Sequence, residues 1–301
     1  MPSHAFVATL VANPLHPALS DALIARVAQA LPGFAAAQWL DQNVAADLFF
    51  EGDGSALPLA RERLSAVLAT EPVDAIAQPA AGRRKKLLLA DMDSTLIGQE
   101  CIDELAARVG IGAHVAAITE RAMRGEIAFE PALRERVALL AGLPETVIAE
   151  VLENHITVTP GARALVQTMR ANGAYAAIVS GGFTQFTSAI AERLGMHEHR
   201  ANQLIVENGL LVGRVAEPIL GRDAKLATLR ELAAQCRLEP HETLAVGDGA
   251  NDLAMLGEAG LGVAYRAKPA VAAAVHARID HADLTALLYA QGFARSAFVE
   301  G

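Results

Sequence analysis

Beyond residue 86, four short apolar runs alternate with longer stretches of helical periodicity. The runs lie at positions 87–90, 176–179, 243–246 and 261–264. Uninterrupted apolar runs of this length are typical of strands that are covered on both faces, and strands that alternate with helices favour a parallel, doubly wound sheet. We therefore predict an α/β domain of this type, in which ligands bind beyond the carboxyl ends of the strands.

One stretch interrupts this alternation. Positions 97 to about 158 contain several helical patterns with no convincing strand between them. The stretch follows the first strand of the predicted sheet, so we interpret it as a helical cap that is inserted over the strand ends.

The first 80 residues have a different order of elements. Their apolar periodicity predicts the order βαββαβ, with elements at 5–12, 20–31, 37–40, 44–50, 57–69 and 73–77. This order is typical of a ferredoxin-like domain. Residues 78–86 are rich in Pro, Ala and Gly and end in four basic residues, which we expect to be solvated. We therefore expect one domain at 1–80, a connector, and a second domain at 85–301.

The composition excludes several functional classes. The chain has 301 residues, of which 52% are hydrophobic, and its formal net charge is −9. This acidic balance argues against a general nucleic-acid binder, and no apolar run is long enough to span a bilayer. We identify no signal peptide, and two cysteines cannot build a disulfide framework. These features favour a soluble cytoplasmic protein that binds neither nucleic acid nor membrane.

The first apolar run leads directly into two acidic residues, Asp91 and Asp93. At a strand end, a spacing of two places both carboxylates on the same side. They repel each other unless a cation or a shared proton compensates, and oxygen ligands without His or Cys suit Mg²⁺. One carboxylate could attack phosphorus while the other transfers protons. The alternative is a turn in which Ser94 or Thr95 caps a helix near Ile97.

Two further segments provide groups that suit a phosphate. The second apolar run ends in Ser180, Gly181 and Gly182, whose hydroxyl and backbone amides could bind phosphate oxygens. An ordinary strand-to-helix turn is the alternative. Lys225 begins a helical pattern and could neutralise a transferring phosphoryl group, although a lysine at such a position is usually exposed to solvent.

The third apolar run ends in the sequence Gly247-Asp248-Gly249-Ala250-Asn251-Asp252. Asp248 follows a strand as Asp91 does, so it could bind the same metal ion. Asn251 and Asp252 could reach the phosphate, Lys225 or the waters of the metal. Taken alone, this segment could equally be a calcium-binding or turn motif. Because these four segments occur in one α/β domain, three of them at strand ends, we favour a shared catalytic site.

In order and character these segments resemble the motif series of the haloacid dehalogenase-like superfamily, from about residue 85 to 290, and within it the bacterial phosphoserine phosphatases. The resemblance implies that Asp91 is the nucleophile and Asp93 the proton donor. It implies that Asp91, Asp93 and Asp248 surround Mg²⁺, and that Asp93 could contribute a backbone oxygen as well. The groups that it places on the phosphate are Ser180, Gly181, Lys225 and Asn251.

The same resemblance assigns Glu100 to the amino group and Arg136 to the carboxyl group of the substrate, and Arg is suited to a carboxylate because its guanidinium forms a bidentate pair. Without the resemblance, the segment 134–136 reads as a solvated helix face. The implied reaction is hydrolysis of O-phospho-L-serine to serine and phosphate, the last step of serine biosynthesis.

Two alternatives remain open at this point. The chain could act on another small phosphomonoester, as a phosphatase or a phosphotransferase, or it could be a non-catalytic amino-acid sensor. The N-terminal domain resembles the ACT-like domains, which implies that it could bind a regulatory amino acid or form a homodimer.

Overall fold

The computed structural model describes residues 4–123 and 126–299, except for the side chains of residues 120, 122 and 123. Its first six elements are β1 (Phe6–Ala12), α1 (Asp21–Ala30), β2 (Phe34–Asp41), β3 (Ala45–Phe50), α2 (Ala56–Val67) and β4 (Val73–Pro79). The strands form an antiparallel sheet in the order β2-β3-β1-β4. The predicted βαββαβ order is confirmed, and the Ser20 hydroxyl accepts a hydrogen bond from the backbone N–H of Leu23 at 3.2 Å.

The rest of the chain contains eight strands and ten α-helices among the described residues. The strands are β5 (Leu87–Ala90), β6 (Tyr175–Phe183), β7 (Glu198–Asn202), β8 (Leu204–Glu207), β9 (Leu210–Val215), β10 (Thr243–Gly247), β11 (Leu261–Tyr265) and β12 (Ala277–Ile279). The helices are α3 (Cys101–Arg108), α4 (Gly112–Met123), α5 (Phe129–Ala138), α6 (Thr146–Asn154), α7 (Ala162–Ala171), α8 (Thr184–Leu194), α9 (Arg222–Gln235), α10 (Leu253–Glu258), α11 (Pro269–Ala272) and α12 (Ala286–Ala290).

Six of these strands form one parallel sheet in the order β12-β11-β10-β5-β6-β7. The four strands predicted from apolar runs are its centre, which confirms the doubly wound α/β class. The sequence did not indicate β7 or β12. Both lie at the sheet edges, where β7 has the polar sequence EHRAN and β12 is three residues long. Edge strands need no continuous apolar run, since helices do not bury both of their faces.

Helices α3 to α6 follow β5 and confirm the predicted helical insertion. They are joined by a feature that the sequence did not indicate, the hairpin β8–β9. Its strand β9 exchanges backbone hydrogen bonds with the segment after α5, from Gly142 to Leu211 at 2.8 Å and from Leu211 to Leu143 at 2.8 Å. The cap therefore consists of four helices and a hairpin that comes from a later part of the chain.

The N-terminal sheet packs against the C-terminal part of the chain. The large hydrophobic core includes Val11 and Ile76 of the N-terminal sheet together with Leu287 and Phe293. The buried Asp74 accepts hydrogen bonds from three consecutive backbone N–H groups, those of residues 280–282, at 2.8 to 3.3 Å. The two sheets thus share apolar and polar contacts. No helix among the described residues is long and apolar enough to cross a membrane.

Candidate active site

The candidate site forms where the carboxyl ends of three adjacent strands meet. Strand β5 lies between β6 and β10, and its last residue, Ala90, pairs with Ile178 on one side and Val246 on the other. Asp91 and Asp248 follow their strands directly, while Ser180 lies within β6, where the pairing with β7 shifts register. The three segments that the sequence placed at strand ends therefore adjoin in space.

Lys225 is the buried centre of this site. The first turn of α9 carries its side chain inward, where it is only 1% exposed. Its Nζ atom lies 2.7 Å from Oδ2 of Asp91 and 2.6 Å from Oδ1 of Asp252. Burial by itself would lower the pKa of Lys225, but the two carboxylates outweigh it and raise the pKa, so the amine carries its charge. This burial rules out the alternative from the sequence, in which Lys225 is exposed to solvent.

Asp91 is held by its neighbours in a single orientation. It is 5% exposed, and its Oδ1 atom accepts a hydrogen bond from the backbone N–H of Met92 at 2.7 Å, while Oδ2 faces Lys225. Burial raises the pKa of this carboxyl well above its ordinary value, and the charge of Asp252 acts in the same direction. Asp252 also accepts the backbone N–H of Gly249 at 2.9 Å, so both of its oxygens are engaged.

Three buried carboxylates form an acidic cluster. Oxygen atoms of Asp91, Asp248 and Asp252 all lie within 4.8 Å of one another. Burial, followed by the charge of Asp252, raises the pKa of Asp248 to about 6. The charges of Lys225 and Lys268 act on Asp248, but two cations do not balance three carboxylates, and an all-oxygen donor set suits a hard divalent cation. The residues present therefore fit a metal ion, and the Thr95 hydroxyl orients Asp248 through a hydrogen bond of 3.3 Å.

The Asp93 carboxylate lies beside this cluster and is not one of its three members. The turn at residues 92–96 includes Ser94 at φ 55°, and it leads Asp93 to the backbone N–H of Cys101, which donates to Oδ1 at 3.2 Å. Burial raises the pKa of Asp93 to about 7, with the charge of Glu100 as the next cause. A carboxyl with such a pKa can both donate and accept a proton near neutrality.

The helix cap that the sequence offered as an alternative takes a different form. The helix begins at Cys101, and Asp93 bonds its first N–H. The hydroxyls of Ser94 and Thr95 donate instead to the carboxylates of Glu100, at 2.7 Å, and Asp248, at 3.3 Å. Asp93 can therefore cap the helix through Oδ1 and still act as an acid, because its Oδ2 atom faces Gly182 in the site.

The end of β6 surrounds the space in front of Asp93. The Ser180 hydroxyl accepts the backbone N–H of Gly182 at 2.9 Å. A Cβ atom on Gly182 would lie 2.7 Å from Oδ2 of Asp93 and 3.1 Å from Oγ of Ser180, so a side chain there would displace both groups. The amide of Asn251 lies across from Gly181, with Nδ2 4.0 Å from the position of a Cβ on that glycine. The structure thus brings the predicted phosphate-binding residues together.

Glu100 and Arg136 reach the same region from the cap. Glu100 is exposed and acts electrostatically on Asp93. Arg136 is half-buried and donates to the Thr119 hydroxyl and to the carbonyl of Ala132, at 3.3 and 3.2 Å. Burial lowers its pKa, and the charges of Asp103, Glu100 and Asp93 oppose that shift. The solvated helix face that the sequence favoured holds for Arg134, which is exposed and pairs with Glu217 at 2.5 Å. It does not hold for Arg136.

Three contributors to the site carry no sequence signal. The ring of Phe129, at the start of α5, lies 3.2 Å from the position of a Cβ on Gly181 and 3.7 Å from one on Gly221. The buried Asn202 donates to the carbonyl of Gly181 at 2.9 Å and accepts the N–H of Leu220 at 2.7 Å. Asp103 faces Arg136, and its buried Oδ1 has no hydrogen-bond partner among the described residues. Each is an isolated residue in an otherwise ordinary helix or strand.

Comparison with known proteins gives a consistent assignment. A sequence model of the haloacid dehalogenase-like hydrolase family matches residues 88–257. The chain is 44% identical over 234 residues to the phosphoserine phosphatase SerB2 of Mycobacterium tuberculosis, covering 77% of this chain and 57% of that protein. It is 46% identical over 204 residues to a phosphoserine phosphatase of Lactococcus lactis, covering 68% of this chain and 94% of that protein. The matched region thus spans little more than half the length of the mycobacterial relative.

Among solved structures, a HAD family hydrolase from Salmonella enterica serovar Typhi superposes with a TM-score of 0.84 at 27% sequence identity. That superposition covers 94% of this chain and 98% of the other. The similarity therefore includes the N-terminal sheet as well as the parallel sheet and its cap.

Proposed function

We propose that this chain, which belongs to the haloacid dehalogenase-like hydrolases, hydrolyses O-phospho-L-serine to L-serine and phosphate, the last step of serine biosynthesis. The observation that carries the proposal is the buried Asp91, held 2.7 Å from Lys225 beside two more carboxylates, with Asp93 as a second acid in front of the phosphate-binding residues. The similarity to curated phosphoserine phosphatases supports the choice of substrate.

In the first half of the reaction, a carboxylate oxygen of Asp91 attacks phosphorus. The new bond is the O–P bond of an aspartyl-phosphate, and the bond that breaks joins phosphorus to the serine oxygen. Asp93 donates its proton to that oxygen, so that serine leaves as a neutral alcohol. The charge of Lys225 would neutralise negative charge on the phosphoryl oxygens, and the hydroxyl of Ser180, the N–H of Gly181 and the amide of Asn251 would donate hydrogen bonds to them.

In the second half, water replaces serine. Asp93, now a carboxylate, accepts a proton from water as the water oxygen attacks phosphorus. The bond between phosphorus and the Asp91 oxygen breaks, which restores the Asp91 carboxylate and releases phosphate. The ring of Phe129, at the start of the cap helix α5, lies against Gly181. It would limit the entry of further water during this step.

We propose Mg²⁺ as the metal. Asp91 and Asp248 would hold it together with the backbone oxygen of Asp93, while Asp252 fixes Lys225. When bound, the ion neutralises charge on the phosphoryl group and the surrounding carboxylates. Oxygen donors without His or Cys favour Mg²⁺ over zinc.

Substrate choice would depend on the cap. Arg136 provides a guanidinium for the substrate carboxylate and Glu100 a carboxylate for the substrate ammonium. The charge of Glu100 raises the pKa of Asp93, and the charge of Asp93 raises the pKa of Arg136, so both residues lie near Asp93. These two residues distinguish phosphoserine from esters that have no amino-acid portion.

The proposal is tested by measuring phosphate release from a panel of phosphomonoesters, with and without Mg²⁺. We expect phosphoserine to be the best substrate, turnover to require Mg²⁺, and Asp91→Asn to abolish it. Asp21→Asn, an exposed site on α1, is the matched control. Full turnover by Asp91→Asn would refute the nucleophile. Equal turnover of generic esters would instead support a phosphatase of broader specificity, and transfer of phosphate to an added alcohol would support a phosphotransferase.

We further propose that the chain acts in the cytoplasm and forms a homodimer through its N-terminal domain. Both cysteines are free, in keeping with a reducing compartment. Strand β2 lies at the outer edge of the N-terminal sheet and carries the exposed Phe34. Sedimentation analysis of the wild type and of Phe34→Ser tests the dimer, since a monomeric wild type would refute it.

A further inference from the structure

A second groove lies at the amino ends of the strands of the parallel sheet, and the candidate active site lies at their carboxyl ends. It has a volume of about 570 Å³ and is bounded by Lys86, just before β5, by Tyr175 at the start of β6, and by residues that follow α7 and α9. We call it the basal groove. The side chains that matter to its chemistry are Lys86, Arg170, Tyr175, His197, Cys236 and Arg237.

The basal groove is positively charged in a chain whose formal net charge is −9. Three cationic side chains line it, and none of its lining residues is acidic. Lys86 already pairs with Glu242, with Nζ 2.6 Å from Oε1. Among the described residues, Arg170 and Arg237 have no carboxylate partner. Two guanidinium groups thus share one groove without a counterion.

Arg170 provides a second, independent observation. Its Nε atom is buried and has no hydrogen-bond partner among the described residues. Buried donors in folded proteins are almost always satisfied, and an unsatisfied one destabilises the fold. No described residue accepts a hydrogen bond from this guanidinium, so its capacity to bind an oxygen-rich anion is not used within the chain.

The remaining wall of the basal groove is neutral. The rings of Tyr175 and His197 stack with their centroids 4.7 Å apart and an interplanar angle of 13°. His197 accepts the backbone N–H of Ala176 at 3.1 Å, and both burial and the charge of Arg170 lower its pKa. The Tyr175 hydroxyl donates to Glu198 at 3.1 Å. Since neither ring carries a charge at neutral pH, the two arginines determine the charge of the site.

Helix ends offer a competing explanation for these arginines. Arg170 lies in the last turn of α7, and Arg237 follows the end of α9. Cations at helix carboxyl ends balance the partial charge of the terminal carbonyls. That effect accounts for a basic residue at each helix end, but it does not account for their meeting in one groove or for the unsatisfied Nε.

We propose that the basal groove binds a small phosphate-bearing anion between Arg170 and Arg237. Guanidinium groups match phosphate oxygens in geometry and charge, and the volume admits inorganic phosphate or a small phosphorylated metabolite. The site is separate from the catalytic one because it lies at the amino ends of the strands. It is therefore independent of the proposed phosphatase activity.

Titration calorimetry with inorganic phosphate in the presence of Mg²⁺ tests this site. We expect two binding sites per chain in the wild type and one in Arg170→Gln/Arg237→Gln, while turnover of phosphoserine stays within twofold. Arg63→Gln is the matched control, because Arg63 donates to the carbonyl of Ala30 at the end of α1 at 3.0 Å and lies outside the groove. One site in the wild type, or an unchanged count in the double variant, overturns the proposal.

Two further measurements complete the test. Glycerol 3-phosphate, titrated without Mg²⁺, identifies the source of the phosphate: binding at least tenfold tighter than inorganic phosphate indicates a phosphorylated metabolite, and weaker binding indicates the free ion. Equal binding of chloride would show that the groove does not select phosphate, and it would refute the site. If the double variant does not fold, Arg237→Gln replaces it, since this side chain is exposed, and at least a tenfold loss of phosphate affinity is expected.

Discussion

The Nζ atom of Lys225 lies 2.7 Å from Oδ2 of Asp91, and the same atom lies 2.6 Å from Oδ1 of Asp252. All three side chains are buried. A buried amine between two carboxylates limits how the proposed nucleophile can be oriented, and it leaves negative charge that a metal ion can balance.

Lys225→Met should lower phosphoserine turnover by at least about 10²-fold, because one preorganised charge at the phosphoryl group is lost. It should also destabilise the protein by about 3–5 kcal/mol, since two buried carboxylates lose their partner. Steady-state kinetics and urea unfolding measure the two effects. Arg222→Met removes an exposed cation from the same turn of α9 and should change neither. Turnover within tenfold of the wild type would show that Lys225 is structural only.

Asp93→Asn should separate the role of a proton donor from that of a phosphate ligand. Asparagine retains an oxygen for the N–H of Cys101, so the fold should persist, but it cannot donate the proton of a carboxylic acid. We expect turnover of phosphoserine to fall by about 10²–10⁴-fold. The loss should be smaller for p-nitrophenyl phosphate, whose leaving group needs no proton. Equal losses for both substrates would argue against proton donation to the leaving oxygen.

Arg136→Leu should raise the KM for phosphoserine by about 10- to 100-fold, because a charged hydrogen bond contributes about 1.5–3 kcal/mol. Hydrolysis of p-nitrophenyl phosphate, which has no carboxylate, should change less than threefold. Arg134→Leu is the control, since Arg134 lies two positions away, is exposed and pairs with Glu217. A similar KM effect from both substitutions would remove the assignment of Arg136 to the substrate carboxylate.

Asp74→Asn should weaken the attachment of the N-terminal sheet. The carboxylate accepts N–H groups from Asp280, His281 and Ala282, and an asparagine NH₂ would face some of these donors. We expect a loss of about 3 kcal/mol in the free energy of unfolding, measured with urea. Asp280→Asn alters the carboxylate of an exposed ion pair with Arg278 and should cost less than 1 kcal/mol. An unfolding curve that does not change with Asp74→Asn would contradict this interpretation.

Much of the fold could be predicted from local patterns. The strands β5, β6, β10 and β11 are buried on both faces, so their sequences are continuously apolar, and the N-terminal βαββαβ order follows from periodicity. The edge strands β7 and β12 and the hairpin β8–β9 could not be predicted in this way. The side chains of β7, β8 and β9 are partly exposed, which removes the apolar signal, and β12 is only three residues long.

Some residues of the candidate site could likewise be predicted from the sequence, and others could not. Asp91, Asp93 and Asp248 could be found because acids that directly follow buried strands are unusual and must meet at one edge of a parallel sheet. The sequence named Lys225 as a candidate for the phosphoryl group without deciding whether its side chain is buried, and without the family resemblance it favoured a solvated helix face for Arg136. It indicated nothing about Phe129, Asn202 or Asp103.

The amino-acid sequence by itself therefore determined the class of the sheet, the positions of its central strands and the acids at their ends, because those features depend on neighbours along the chain. Only the tertiary structure decided that Lys225 lies between Asp91 and Asp252, that Phe129 covers Gly181, and that Arg170 and Arg237 share one groove. These relationships depend on how helices pack on the sheet. Packing brings together residues that are far apart in the chain. The sequence around each of them resembles the sequence around residues that face solvent.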